Sequence, residues 1–279
     1  MWHRIKSWWN ENVLDQPYEP GTILHHYRVE VVLGMGSYGI AYKAKHLPTN
    51  QSIVLKQVRP SLRRSPKGTA MQQYEQRVLA TLNHPQMPRW LESFCYRNDS
   101  FLVMSYFEGP TLEELLFDHQ VQWDERSAAL LMRQLGELIL CLHQNGIIHR
   151  DVRIPNVIWQ DGRPCLIDFG LARFLGDPPT YSGTELSAYP EEKRLKRLVE
   201  PASDLYALGH FFLFLLYSRY VPQPGQAERS WEDELPLPPL LHSMLRRLLQ
   251  MEPPYGCVQE WLNDLNRFIE KTKSSSTAG

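Results

Sequence analysis

The chain has 279 residues, 43% of them hydrophobic and 22% charged, an ordinary globular make-up with enough length to bury a sizeable core. A formal net charge of −1 gives no general attraction to nucleic acid or to anionic surfaces. Cys95, Cys141, Cys165 and Cys257 lack the paired spacing of a metal site, so reduced thiols in the cytosol are expected.

Residues 1–12 alternate tryptophan with charge and contain no apolar block of the signal-peptide kind. Trp2, Ile5 and Trp9 share a helical face there. A helix so short is expected to pack on the protein's own surface, although the same face could lie at a membrane interface or dock a partner. Tyr27-Arg28-Val29-Glu30-Val31-Val32 then alternates as a strand, Gly34-Met35-Gly36-Ser37-Tyr38-Gly39 follows, and Ile40-Ala41-Tyr42-Lys43-Ala44 alternates again. Glycines at these positions let the backbone fold tightly over phosphate groups with its amides aimed at them. A dinucleotide-binding fingerprint has the same spacing but opens a helix at once, whereas residues 42–58 read as more strand.

Val54-Leu55-Lys56 is an apolar strand ending in a cation, and an unpaired buried ammonium is costly. Its candidate partners are phosphate oxygens and Glu75, which lies on a predicted helix over 71–82 with Tyr74, Val78, Leu79 and Leu82 on one side. Asn83-His84-Pro85 is expected to cap and end that helix. Residues 59–67 between strand and helix read as a solvated basic edge. A further amphipathic helix over 134–143 stops at Asn145-Gly146. The short strand Ile147-Ile148 delivers His149-Arg150-Asp151 to a loop, with Asn156 five residues past Asp151. Pro164-Cys165-Leu166-Ile167 then delivers Asp168-Phe169-Gly170, with Asp168 seventeen residues past Asp151. Residues 205–217 carry Phe211-Phe212-Leu213-Phe214-Leu215-Leu216 but include His210 and fall short of the ~20 needed to span a bilayer, so a buried core helix is expected. Residues 222–239 are Pro-rich around Trp231 and read as a partly ordered loop or docking surface.

A carboxylate to orient a hydroxyl, then an amide and a second carboxylate to hold magnesium on ATP, are the parts a phosphoryl-transfer site needs. In this order the chain resembles the eukaryotic-like (Hanks-type) serine/threonine protein kinases, from about Tyr27 to about Phe268. The resemblance implies a bilobal α+β fold: a kinase domain over 27–270, with a small lobe at 27–104, a hinge at 105–109 and a large lobe at 110–270. An extension over 1–26 precedes it and a flexible tail over 271–279 follows. It implies transfer of the ATP γ-phosphoryl group to Ser or Thr of protein substrates, with autophosphorylation and with ATP and Mg2+ as cofactors. Brevity and the lack of a membrane-spanning run suggest a compact bacterial member in the cytoplasm.

Residue by residue, the resemblance makes Asp151 the catalytic carboxylate, with Lys56, steadied by Glu75, and Arg153 offsetting phosphate charge. Asn156 and Asp168 become the magnesium ligands, and His149 a scaffold. Gly34, Gly36, Gly39, Ala41, Val54 and Lys56 surround the nucleotide, together with the gatekeeper Met104 and the backbones of Ser105 and Phe107. Thr180, Tyr181, Ser182 and Thr184 become candidate phosphorylation sites, with Arg150 available to meet such a phosphate. Gly183-Thr184 and Tyr189-Pro190-Glu191 match the landmarks that close an activation segment, and Asp204-Leu205-Tyr206-Ala207-Leu208-Gly209 matches the start of a buried helix. Three positions depart from the family pattern. Ser105 stands where Glu is common and Arg153 where Lys is usual. No Arg follows Glu252-Pro253 to pair with Glu191, which predicts a less rigid activation segment. The rival readings are a nucleotide-binding pseudokinase, opposed by the intact Lys56, Asp151, Asn156 and Asp168, and a small-molecule phosphotransferase, opposed by Thr184 and Pro190-Glu191.

Overall fold

The computed structural model describes residues 14–63, 65–178, 194–222 and 229–276. The Trp-bearing N-terminal segment, the candidate phosphorylation sites Thr180, Tyr181, Ser182 and Thr184, and Tyr189-Pro190-Glu191 lie outside these residues. The chain divides into two compact units, Met1–Phe107 and Glu108–Gly279, the first rich in strands and the second mainly helical.

In the first unit a single antiparallel sheet has the order β1-β2-β3-β4-β6-β5, built from β1 (Ile23–Leu24), β2 (Tyr27–Met35), β3 (Gly39–His46), β4 (Gln51–Val58), β5 (Trp90–Tyr96) and β6 (Asp99–Ser105). Period-two alternation sends Leu24, Val29, Ile40, Tyr42, Ala44, Ile53, Leu55, Phe101 and Val103 into one buried cluster. Each large side chain so buried contributes about 1.5–3 kcal/mol. Ala41, Lys43, Val54 and Lys56 point to the opposite, half-exposed face, where Ala41 pairs with Lys56 and Val54 with Met104. Helix α1 (Pro66–Thr81) begins earlier than its apolar periodicity suggests, because Pro66 at the first turn needs no hydrogen-bonded N–H. It also ends before Asn83. Leu82 turns to extended backbone and buries its side chain, so core packing terminates the helix ahead of the Asn–Pro signal.

The segment before β1 is tied down. Asp15, fully buried, accepts from Arg59 Nε at 2.8 Å, from Ser61 N at 2.8 Å and from Ser61 Oγ at 2.9 Å. Tyr18 donates its hydroxyl to Asp99 at 2.7 Å, and Asp99 also receives Arg63 Nε at 2.6 Å. Arg59 is therefore a largely buried ion-pair partner and not part of a solvated edge, whereas Arg63 pairs with Asp99 while staying exposed, as expected of this basic loop.

The second unit contains α2 (Leu112–Phe117), α3 (Glu125–Gln144), α4 (Pro201–Tyr217), α5 (Trp231–Glu234), α6 (Pro239–Leu248) and α7 (Val258–Ser276). Its short strands pair as β7 (Ile147–Ile148) with β10 (Arg173–Phe174), and β8 (Val157–Gln160) with β9 (Arg163–Leu166). Helix α3 is capped at its start by Asp124, whose Oδ1 accepts from Ser127 N at 2.7 Å. It ends at Asn145 and Gly146, the glycine supplying φ +68°. Helix α3 carries Gly136 where α7 presents the buried Trp261; a Cβ there would lie 2.6 Å from the indole. Phe211, Phe212, Leu215 and Leu216 are buried along α4, as expected of a core helix, and among the described residues no helix is long and apolar enough to cross a membrane. All four cysteines are free.

Candidate active site

The first unit holds the glycine loop and the lysine. Lys56 on β4 donates Nζ to Glu75 Oε1 on α1 at 2.7 Å, with the carboxylate side chain only 3% exposed and the ammonium side chain 21%. The part-buried cation thus has the carboxylate partner that its apolar strand setting favours. The β2–β3 hairpin carries Gly34 near the end of β2, Gly36 in the turn and Gly39 at the start of β3, and Gly36 N–H donates to the Gly39 carbonyl at 2.9 Å. Their reasons for being glycine differ. A Cβ on Gly39 would meet the Gln57 carbonyl at 2.8 Å, so β4 excludes it. A Cβ on Gly34 would meet nothing within 4 Å, one on Gly36 only the Gly39 carbonyl at 3.9 Å, and neither residue has positive φ. Neither packing nor turn geometry requires those two glycines, and the space a Cβ would enter there is open.

Along β6, Leu102 and Met104 are buried opposite Lys56 and Val54. Ser105 donates its N–H to the Arg89 carbonyl at 3.0 Å, and its hydroxyl accepts from Arg89 N at 2.9 Å. Phe107 is buried.

The second unit holds the acidic residues, on a loop braced from beneath. Asp204, at the start of α4, is fully buried and accepts from His149 N at 2.9 Å, Arg150 N at 2.7 Å and His143 Nε2 at 2.9 Å. Burial alone would raise its carboxyl, but the hydrogen bond and charge of His143, the charge of His149 and the Arg150 N–H together hold it below the usual carboxylate range. With the amides of 149 and 150 fixed, Arg150 is held at φ +66°, a left-handed conformation that a non-glycine residue keeps only when its surroundings impose it. His149 is buried, packs edge-on to Phe169 at 4.8 Å, and accepts the Asp151 N–H at Nδ1 over 3.3 Å, which makes it a scaffold.

Asp151 is set by its neighbours on both carboxylate oxygens. Asn156 donates Nδ2 to the Asp151 carbonyl and to Oδ2, both at 2.9 Å. The backbone carbonyl requires a donor, so the orientation of the Asn156 amide is determined. Arg153 Nε lies 3.3 Å from Asp151 Oδ2, and Arg197 Nη1 lies 3.9 Å from Oδ1. Nothing in the sequence marks Arg197; it sits in a run of mixed charge and only the fold brings it here. Asp168 follows β9 with φ +62°, also left-handed, and accepts from Gly170 N at 3.3 Å. Arg150 differs from expectation: it is 1% exposed and its guanidinium donates to the backbone carbonyls of Arg197 and Leu171, so a phosphate would compete with these bonds.

The protein kinase domain family matches residues 27–265. The chain is 37% identical over 261 residues to "Probable serine/threonine-protein kinase YbdM" of Bacillus subtilis (strain 168), covering 92% of this chain and 95% of that one. It is 28% identical to "Serine/threonine-protein kinase C" of Synechocystis, covering 82% of this chain but only 47% of that longer protein. Among solved structures, the kinase domain of Mycobacterium tuberculosis PknI superposes with a TM-score of 0.66 at 23% identity over 90% of this chain and 99% of that one, a likeness of fold. With its strand-rich and helical units, its Lys56–Glu75 pair and its Asp204-braced Asp151 loop, this chain belongs to the protein kinase family.

Proposed function

We propose that this kinase transfers the γ-phosphoryl group of ATP to serine or threonine hydroxyls of protein substrates, itself included, in the cytoplasm. The observation that carries the reading is the setting of Asp151: one carboxylate oxygen takes Asn156 and Arg153, the other faces Arg197, and the loop beneath is fixed by Asp204. This carboxylate can accept the substrate hydroxyl's hydrogen bond and hold its oxygen in line. Asp151 takes the proton as the oxygen–phosphorus bond forms and the bond from the γ-phosphorus to the β–γ bridging oxygen breaks. Lys56, kept in place by Glu75, and the amides of the glycine loop serve the phosphates, while Ala41, Val54, Met104 and the backbones of Ser105 and Phe107 serve the base. Asn156 Oδ1 and the Asp168 carboxylate are oxygen donors of the kind Mg2+ takes, and bound magnesium supplies charge neutralisation on the phosphates. The serine/threonine assignment rests on similarity to the serine/threonine kinases of Bacillus subtilis and Synechocystis, and the four free cysteines agree with a reducing compartment.

Incubation of the purified chain with γ-labelled ATP and Mg2+, with and without a generic basic protein, tests this. Label on Ser or Thr that disappears in Asp151→Asn and in Lys56→Ala is expected. Binding of Mg-ATP without any label transfer would point instead to a scaffold that uses the fold without turnover.

A further inference from the structure

Strands β1 and β5 are the two edges of the small-unit sheet, yet side chains from the two ends meet. His26 Nε2 lies 3.0 Å from Glu92 Oε1, and the Tyr27 hydroxyl donates to the same oxygen at 2.5 Å. The rings of Tyr27 and His25 stack on Phe94 of β5 at 5.7 and 5.5 Å. The sheet therefore curls until its edges touch at one polar cluster, whose members are 66 residues apart in the chain.

We propose that His25, His26 and Glu92 form a binding site for a late first-row divalent cation, Zn2+ by its ligand chemistry, which clamps the β1–β2 turn to β5. One ligand atom from each residue lies within 4.8 Å of the others. Tetrahedral zinc with bonds of about 2.0–2.2 Å places its ligand atoms roughly 3.4 Å apart, so modest side-chain rotation completes the set. Two imidazoles and a carboxylate suit zinc, nickel or copper and are a poor match for magnesium, which separates this site from the magnesium of phosphoryl transfer. The side chains of His26 and Glu92 are 32% and 37% exposed, leaving room for a water as the fourth ligand.

Two further observations favour a built site over a chance pair. Leu24 pairs with Tyr27, so His25 and His26 are the whole of a two-residue hairpin turn, and His25 takes φ +59° where glycine, asparagine or aspartate is preferred. The strained histidine brings adjacent imidazoles to 4.1 Å between ring centres, both within reach of Glu92. The Tyr27 hydroxyl orients the carboxylate as an outer partner would. His46 stands beside His26 at 5.0 Å but has its Nδ1 held by the Thr49 hydroxyl at 2.7 Å.

The test uses the full chain without a polyhistidine tag, stripped with chelator and titrated with Zn2+ by calorimetry, with thermal unfolding followed in parallel. One saturable site is expected, with unfolding raised by about 5–10 °C once free Zn2+ stands roughly a hundredfold above its Kd, and no such rise with Mg2+. His25→Ala, which removes an exposed side chain, and Glu92→Gln, which keeps an acceptor for Tyr27, should each weaken the site at least tenfold. Co2+ should give tetrahedral d–d absorption in the parent chain that Glu92→Gln lacks. Absence of saturable Zn2+ binding, or Zn2+ affinity equal in the parent chain and both variants, overturns the proposal.

Discussion

Gly34 and Gly39 flank the turn of one hairpin, and the structure predicts opposite consequences for adding one methyl group to each. At Gly39 the new Cβ would sit 2.8 Å from the Gln57 carbonyl and 3.5 Å from Lys56 Cγ. The carbonyl belongs to backbone paired across β3–β4 and cannot swing aside, and Gln57 is itself buried and accepts the Tyr42 hydroxyl at 2.6 Å. Overpacking of this kind costs about 1–3 kcal/mol. Against it stands a gain of about 0.4–1 kcal/mol from the stiffer unfolded chain. Gly39→Ala should thus destabilise the protein by about 1–2 kcal/mol. Gly34→Ala meets no protein atom within 4 Å and has no positive φ, so only the gain remains and stability should hold or rise slightly. Because its methyl group would stand where phosphates approach, its KM for ATP should rise about tenfold, equivalent to about 1.4 kcal/mol. Denaturant unfolding with the same m-value, paired with ATP titration of the kinase assay, reads both quantities. If Gly34→Ala were as unstable as Gly39→Ala, or bound ATP as the parent does, the assignment of that open space to the nucleotide would be refuted.

Asp15→Ala removes three hydrogen bonds to a buried carboxylate and leaves Arg59, 14% exposed at its side chain, without that ion-pair partner; a loss of about 3 kcal/mol is expected in denaturant unfolding, with Asp15→Asn recovering part of it. Arg197→Ala keeps the backbone carbonyl that Arg150 uses but removes the cation near Asp151 Oδ1, so kcat should fall about tenfold with KM for ATP little changed, and an unaltered kcat would remove Arg197 from the site. Asp204 has a depressed carboxyl in the folded protein, so its contribution is fully present above the unfolded value near ~4 and is lost as pH falls through the lower folded value. Unfolding free energy measured between about pH 6 and pH 3 should therefore fall less steeply in Asp204→Asn than in the parent chain.

Much of the site is legible in the sequence because its parts are local. Gly34, Gly36 and Gly39 lie on one hairpin, and Asp151 and Asn156 on one loop, so spacing along the chain nearly sets their spacing in the fold. Strand alternation likewise places Ala41, Val54 and Lys56 on one face. Arg59 departs from the solvated state expected of the basic loop because charge pattern cannot say where a carboxylate distant in sequence will land, and Asp15 arrives only through tertiary packing. The end of α1 differs from expectation for a related reason: a local Asn–Pro signal yields to burial of Leu82.

From the order of its residues alone, the chain determined its family, its α+β make-up and the chemistry of its polar loops, since those depend on side-chain type and short-range geometry. Only the folded structure decided which glycines answer to packing and which to open space, that Arg150 is buried against carbonyls, that Arg197 stands beside Asp151, and that His25, His26 and Glu92 meet across the two edges of one sheet. These are contacts between segments far apart in the chain, and no periodicity encodes them, because the free energy that brings them together is spread over the whole buried core.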